Sequence, residues 1–177
     1  VRVVSELHAL GIGRVLMLTG DNTETAESVA ATVGIDDVRA ELLPEDKVKA
    51  VEALAADSSP IAMVGDGVND APAMARADIG IAMGAVGSDA AIEAADIALM
   101  SDDLTRIPWL IRHAKRTLRV IRQNIVFSLA VKAAFVVLTF AGYASLWAAI
   151  AADMGASLLV ICNGLRLLAG RTEERPR

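Results

Sequence analysis

Two carboxylates four residues apart mark where this chain could do chemistry. Gly65-Asp66-Gly67-Val68-Asn69-Asp70-Ala71-Pro72 follows an apolar run, 61–64, that reads as a buried strand. The glycines allow a tight turn and close approach of a ligand. Carboxylates at a strand end suit Mg²⁺, a hard cation that takes oxygen ligands and often shares them with phosphate. An isolated Gly-Asp-Gly would serve equally well as a solvated turn. The eight-residue string is more specific.

Matching groups lie upstream. The apolar run 14–18 ends in Thr19-Gly20-Asp21-Asn22. A Thr hydroxyl and a free backbone N–H at a strand end can hold a phosphate oxygen, and a helix beginning at residue 23 would add dipole attraction for an anion. Pro44-Glu45-Asp46-Lys47 opens another helical stretch, with Lys47 in its first turn. Lys is a compact cation that commonly meets phosphate. Taken singly, Thr19 fits a helix cap and Lys47 a solvated charge. A strand-end Thr, then a Lys, then a strand-end Asp pair is harder to explain in that way.

In this order, Thr19-Gly20-Asp21, Lys47 and Gly65-Asp66-Gly67-Val68-Asn69-Asp70 resemble the later motifs of haloacid-dehalogenase-like phosphorylation domains, and the wording TGDN and GDGVNDAP resembles that of P-type ATPases. The resemblance implies roles. Asp66 is a Mg²⁺ ligand, and Asp70 and Asn69 support the metal and an aspartyl-phosphate. Thr19, with Gly20 and Asp21, holds a phosphoryl oxygen, and Lys47 balances its charge. ATP is the implied phosphoryl donor. A carboxylate nucleophile divides a difficult transfer into two steps, and catalysis otherwise rests on positioning and charge stabilisation. The family's phosphorylated Asp sits in a DKTGT string, which these 177 residues lack, as they lack the TGE and CPC motifs. With a first residue of Val1, the chain reads as the C-terminal part of a longer pump. It is expected to be inactive alone and to need the remaining N-terminal part as its partner.

Charge divides the chain. Residues 1–105 carry 6 basic and 19 acidic side chains, a net −13, whereas residues 106–177 carry 11 basic and 3 acidic, a net +8. The acidic part alternates strand-like runs (14–18, 61–64, 79–82, 97–99) with helical stretches (23–33, 46–56, 71–75, 88–94), as a parallel α/β sheet does. The catalytic groups then fall at strand carboxyl ends, where open α/β sheets place ligands. Asp78 and Asp96 precede two strands and read as turn residues. The basic part has its charges beside long apolar runs, which points to a lipid bilayer and away from nucleic acid.

A basic helix, 106–123, reads as a stalk. It leads into two apolar runs, about 125–143 and 146–168, each long enough for a hydrocarbon core of about 30 Å. The linker between them is uncharged. The basic residues lie before the first run and after the second, so the positive-inside rule places both ends in the cytosol. Residues 169–177 form a short cytosolic tail.

Lys132 interrupts the first run and Asp153 the second. A charge near the bilayer centre costs at least about 2.5–3.5 kcal/mol on insertion scales. At 1.5 Å per residue the two depths differ by only about 5 Å in antiparallel spans. The pair reads either as structural or as a transport site in which Asp153 binds the transported ion and Lys132 is its counter-charge. Asp153-Met154-Gly155 and Asn163-Gly164-Leu165-Arg166 resemble the last helix of zinc/cadmium/lead exporters, and Lys132 resembles that branch's intramembrane Lys. A carboxylate also suits a divalent ion better than Cu⁺. Asn163 and Arg166 read as helix-end packing and a charge anchor.

The fold class expected is α/β, the C-terminal part of a haloacid-dehalogenase-like, Rossmann-like phosphorylation domain with a parallel sheet, followed by two transmembrane α-helices. The function expected is that of an ATP-driven exporter of Zn²⁺, Cd²⁺ or Pb²⁺ in a bacterial-type plasma membrane, with the phosphorylation domain cytosolic. The alternatives are a copper-exporting P-type ATPase and a catalytically incomplete, membrane-tethered regulatory module.

Overall fold

The computed structural model describes residues 2–56, 60–67, 69–84, 89–143 and 145–169. Val68, Ser88 and the 170–177 tail, all part of the sequence reading, lie outside the described residues. In chain order the elements are α1 (Arg2–Ala9), β1 (Leu16–Leu18), α2 (Thr23–Val33), β2 (Asp37–Arg39), α3 (Pro44–Ala55), β3 (Ala62–Gly65), α4 (Ala71–Met74), β4 (Ile79–Ala82), α5 (Asp89–Ala94), β5 (Ile97–Ala98), α6 (Arg106–Phe140) and α7 (Leu146–Ala169). The chain divides into two compact units, Val1–Trp109 and Leu110–Arg177.

In the first unit every strand pairing is parallel. Among the described residues hydrogen bonding runs as two ladders, β1-β2 and β3-β4-β5. Each parallel step begins with the same device. An Asp just before one strand accepts the backbone N–H of a residue just before the stretch of its neighbour that pairs with it: Asp36 from Val15 (2.6 Å), Asp78 from Ile61 (2.8 Å) and Asp96 from Gly80 (2.8 Å). Asp78 and Asp96 are therefore cross-strand acceptors as well as turn residues. These N–H groups lie where the ladder hydrogen bonds have begun to run out, and a carboxylate supplies the missing acceptor.

The helices form for local reasons. Asn22 caps α2, its side chain accepting from Thr25 N at 2.8 Å, and Gly34 ends it in the left-handed conformation with its N–H on Ala30 O. Ala26 and Ala30, one turn apart, are its buried face. Helix α3 starts at Pro44, the residue that opens the helical stretch in the sequence and two before the 46–56 range, because Pro44 occupies the first turn, where its missing N–H costs nothing. The core is Val51, Met63, Ala73, Met74 and Ala82, with Leu18, Val48, Ala95 and Ala98 packed against it. It joins β1, α3, β3, α4 and β4, and Leu18, Val48 and Met63 are each within three residues of a candidate site residue.

The second unit is a pair of helices. Helix α6 is continuous to Phe140, so the first apolar run ends three residues sooner than expected, and Gly142 (φ 78°) turns the chain with Tyr143 N on Leu138 O at 3.0 Å. Ser145 then caps α7 by accepting from Ala148 N at 3.2 Å. Both helices are long and apolar enough to cross a membrane, and Val136, Val137, Leu158 and Ile161 point outward. Among the described residues, Asn124 of α6 ties them together through two hydrogen bonds to α7. Asn163 donates to Asn124 Oδ1 at 2.8 Å, Asn124 donates to Val160 O at 3.4 Å, and Arg166 donates to Asn163 Oδ1 at 3.2 Å.

Candidate phosphoryl-transfer site

Lys47 and Asp70 form the centre of the arrangement. Lys47 Nζ lies 2.7 Å from Asp70 Oδ1, and both side chains are less than one-fifth exposed. The first turn of α3 supplies the Lys, and the turn leaving β3 supplies the Asp. Asp70 stands at the N-cap position of α4, yet its carboxylate makes no cap hydrogen bond and turns to Lys47 instead.

Gly65 makes that possible. A Cβ there would fall 2.8 Å from both Cβ and Oδ2 of Asp70, closer than side chains pack. The first glycine of the motif is thus a cradle for Asp70, a role its place in the motif did not reveal. Gly67 has a left-handed φ of 76°, which favours glycine. Asp66, exposed at the strand end, accepts from Asn69 N at 3.2 Å, so the two Asp residues lie on one tight turn.

Thr19 leaves β1. Its hydroxyl donates to Asp21 Oδ2 at 2.9 Å and accepts from Asp21 N at 3.1 Å. The cap role that Thr19 alone could have filled belongs to Asn22. The 41–42 segment lies close over this turn. Leu42 N donates to Thr19 O, Glu41 N donates to Asp21 O, and a Cβ on Gly20 would lie 3.3 Å from Leu42 O. Glu41 is held at a φ of 56°, rare for a non-glycine residue, and its carboxylate accepts from Thr23 at the start of α2. No motif in the sequence points to Glu41.

The hydrogen bonds of Thr19 and Asp21 therefore stay within their own turn and the 39–42 segment, while Lys47, Asp66, Asn69 and Asp70 cluster at the end of β3. Among the described residues no group of three or more His, Cys, Asp or Glu side chains could hold a metal. Two carboxylates on one turn, with oxygen donors only, nevertheless fit Mg²⁺, which is commonly held by one or two carboxylates plus phosphate oxygens.

Lys132 and Asp153 are both exposed, and no ion pair joins them among the described residues. The Asn124–Asn163 bond sets the register. Lys132 is eight residues beyond Asn124 and Asp153 ten before Asn163, or about 12 and 15 Å along the helices. The two are nearly level but do not meet.

The first unit has the parallel strands, strand-end carboxylates and Lys of a haloacid-dehalogenase-like domain, and residues 1–78 match the family model for haloacid dehalogenase-like hydrolases. Over 166 residues, 94% of its length, the chain is 50% identical to a probable cadmium-transporting ATPase of Listeria monocytogenes. It is 51% identical over 170 residues to a cadmium, zinc and cobalt-transporting ATPase of Bacillus subtilis. These alignments cover 23% and 24% of the two relatives, so the chain spans about a quarter of the length of the curated proteins it matches. The crystal structure of a zinc-transporting PIB-type ATPase in the E2.Pi state superimposes with a TM-score of 0.85 at 50% identity, covering 94% of this chain and 27% of that one. The chain belongs to the heavy-metal (P1B-type) P-type ATPases.

Proposed function

We propose that this chain is the phosphoryl-handling and final membrane portion of an ATP-driven exporter of divalent heavy-metal cations, Zn²⁺ or Cd²⁺, working through an aspartyl-phosphate. The observation that carries the reading is the Lys47–Asp70 pair held against Gly65 at the carboxyl end of a parallel strand. The phosphorylated Asp lies outside these 177 residues, in the remaining part of the same pump. Asp66 and Asp70 would hold Mg²⁺, which when bound neutralises charge on the phosphoryl oxygens.

The chain's own groups do the rest. Lys47 brings a fixed positive charge to the phosphoryl group and keeps Asp70 aimed at the strand end. Asn69 N fixes the Asp66 carboxylate. The Thr19 proton now goes to Asp21, so a phosphoryl oxygen binding there competes with that carboxylate for it. Such a site works by positioning and electrostatic stabilisation. We place the two long helices in a bacterial-type plasma membrane with the first unit in the cytosol, a reading supported by the basic flanks and the uncharged linker.

The test is phosphoenzyme formation from radiolabelled ATP in the intact pump. Asp66→Asn should form none while keeping its circular dichroism spectrum. Normal labelling of that variant would remove Asp66 from the site.

A further inference from the structure

A second concave site lies between the two helices, far along the chain from the phosphoryl-handling residues. Arg116, Arg119, Val120, Gln123, Arg166 and Leu167 line a cavity of about 180 Å³. At about 30 Å³ per water this is room for a phosphate group and several waters. The α6 residues recur at i, i+3, i+4 and i+7, the spacing of one helix face. The next residue on that face is Asn124, whose bond to Asn163 closes the helices together. The cavity thus opens just below a polar clasp, on the side where both helices turn from apolar to basic.

Among the described residues the charge there is one-sided. Three guanidinium groups border the cavity, and none has an ion-pair partner among the described residues. Asp153 is the only acid between residues 106 and 169, and it is 13 residues from Arg166, about 20 Å along α7. Three like charges around one hollow repel each other unless an anion joins them. Arginine forks bind phosphate oxygens with defined geometry. Farther into the apolar run, Val126 and Phe127, seven residues beyond Arg119 and Val120 on the same face of α6, and Leu159, seven before Arg166 on α7, are exposed, so an anion seated in the hollow would have apolar surface above it.

We propose that Arg116, Arg119, Gln123 and Arg166 hold the headgroup phosphate of one anionic phospholipid, whose acyl chains lie along the exposed apolar faces of α6 and α7. Basic pockets between membrane helices at the headgroup level are suited to such lipids. The apolar surroundings favour a lipid over a free phosphate, which would gain only the guanidinium contacts. Holding one lipid there would also brace the Asn124–Asn163 clasp from below, through Arg166.

The experiment uses the intact membrane protein in nanodiscs of phosphatidylcholine containing a minority of phosphatidylglycerol, with retained lipids counted by native mass spectrometry. The unsubstituted protein should retain one phosphatidylglycerol in preference to phosphatidylcholine. Arg119→Gln and, separately, Arg116→Gln should each lower that retention by about fivefold, the effect of one basic residue near a membrane surface. Arg122→Gln, on the same helix but outside the cavity lining, should leave it unchanged. Equal loss in Arg122→Gln would mean diffuse attraction and overturn the proposal, as would the absence of any preference for phosphatidylglycerol. Millimolar inorganic phosphate should leave the lipid in place, and displacement of the lipid by phosphate would make this a free-anion site instead.

Discussion

Lys47 and Asp70 are 23 residues apart in the chain and 2.7 Å apart in space, one on the first turn of α3 and the other on the turn that leaves β3. Removing one partner of a fully buried pair costs about 3–5 kcal/mol, and an exposed pair contributes about 0–1. With both side chains less than one-fifth exposed, Lys47→Met should destabilise the chain by about 1–3 kcal/mol, between those limits. Replacing both, Lys47→Met with Asp70→Asn, should cost less than the sum of the single changes, because neither partner is then stranded. Urea unfolding of the four proteins of this cycle in nanodiscs measures the coupling, expected at about 0.5–3 kcal/mol. Additive single changes would show that the contact contributes nothing.

Gly65 should be as sensitive as the charged residues. In Gly65→Ala the new methyl would meet Asp70 at 2.8 Å, and Asp70 must move because the backbone beneath it is a ladder strand paired to β4. A displacement of about 1 Å at such a site can cost about 100-fold in rate. Phosphoenzyme formation by the intact pump should fall by about that factor, with only a small loss of helicity. Unchanged labelling would mean that Asp70 can work from a second position.

Both spans should return to the same side of the membrane. A reporter fused before Arg106 and one fused after Arg171 should both report the cytosol, since the basic residues flank the two apolar helices and the linker near Gly142 carries no charge. Opposite locations would reduce the two spans to one.

Some of this architecture was legible in the residues and some was not, for physical reasons. The 23–33 extent of helix α2 was legible, whereas the cap at its start is Asn22 and not Thr19. Strand β4 was legible as an apolar run bounded by turn residues. Strand β2 escaped because Asp37-Val38-Arg39 has a single apolar residue, and its strand character comes from pairing with β1. The Asp36, Asp78 and Asp96 acceptors also depend on which strand lies alongside, which no local pattern states. At the site, residue types and order marked Asp66, Asp70 and Lys47. That Lys47 bonds to Asp70, and that Gly65 is the cradle, are facts of packing. Counting residues along the helices put Lys132 and Asp153 at similar depth, and the Asn124–Asn163 register agrees, but counting says nothing of which way each side chain points around its helix.

That last point sharpens the test of the transport site. Asp153 is exposed and not paired with Lys132, so its carboxylate is open to a cation. Zn²⁺ accepts carboxylate oxygen together with sulfur and nitrogen donors, and other parts of the pump would have to supply those, because no cluster of three ligating side chains exists among the described residues. Asp153→Ala in the intact pump should therefore abolish Zn²⁺- and Cd²⁺-stimulated ATP hydrolysis and lower the metal stoichiometry of the purified protein, with its helicity unchanged. Lys132→Ala should behave differently. A level but separate cation repels the transported ion without coordinating it, so its loss should leave metal bound and slow release. Equilibrium dialysis with Zn²⁺, alongside stimulated ATPase rates, distinguishes the two variants. Wild-type stoichiometry and stimulation in Asp153→Ala would show that the carboxylate is not a ligand of the transported metal.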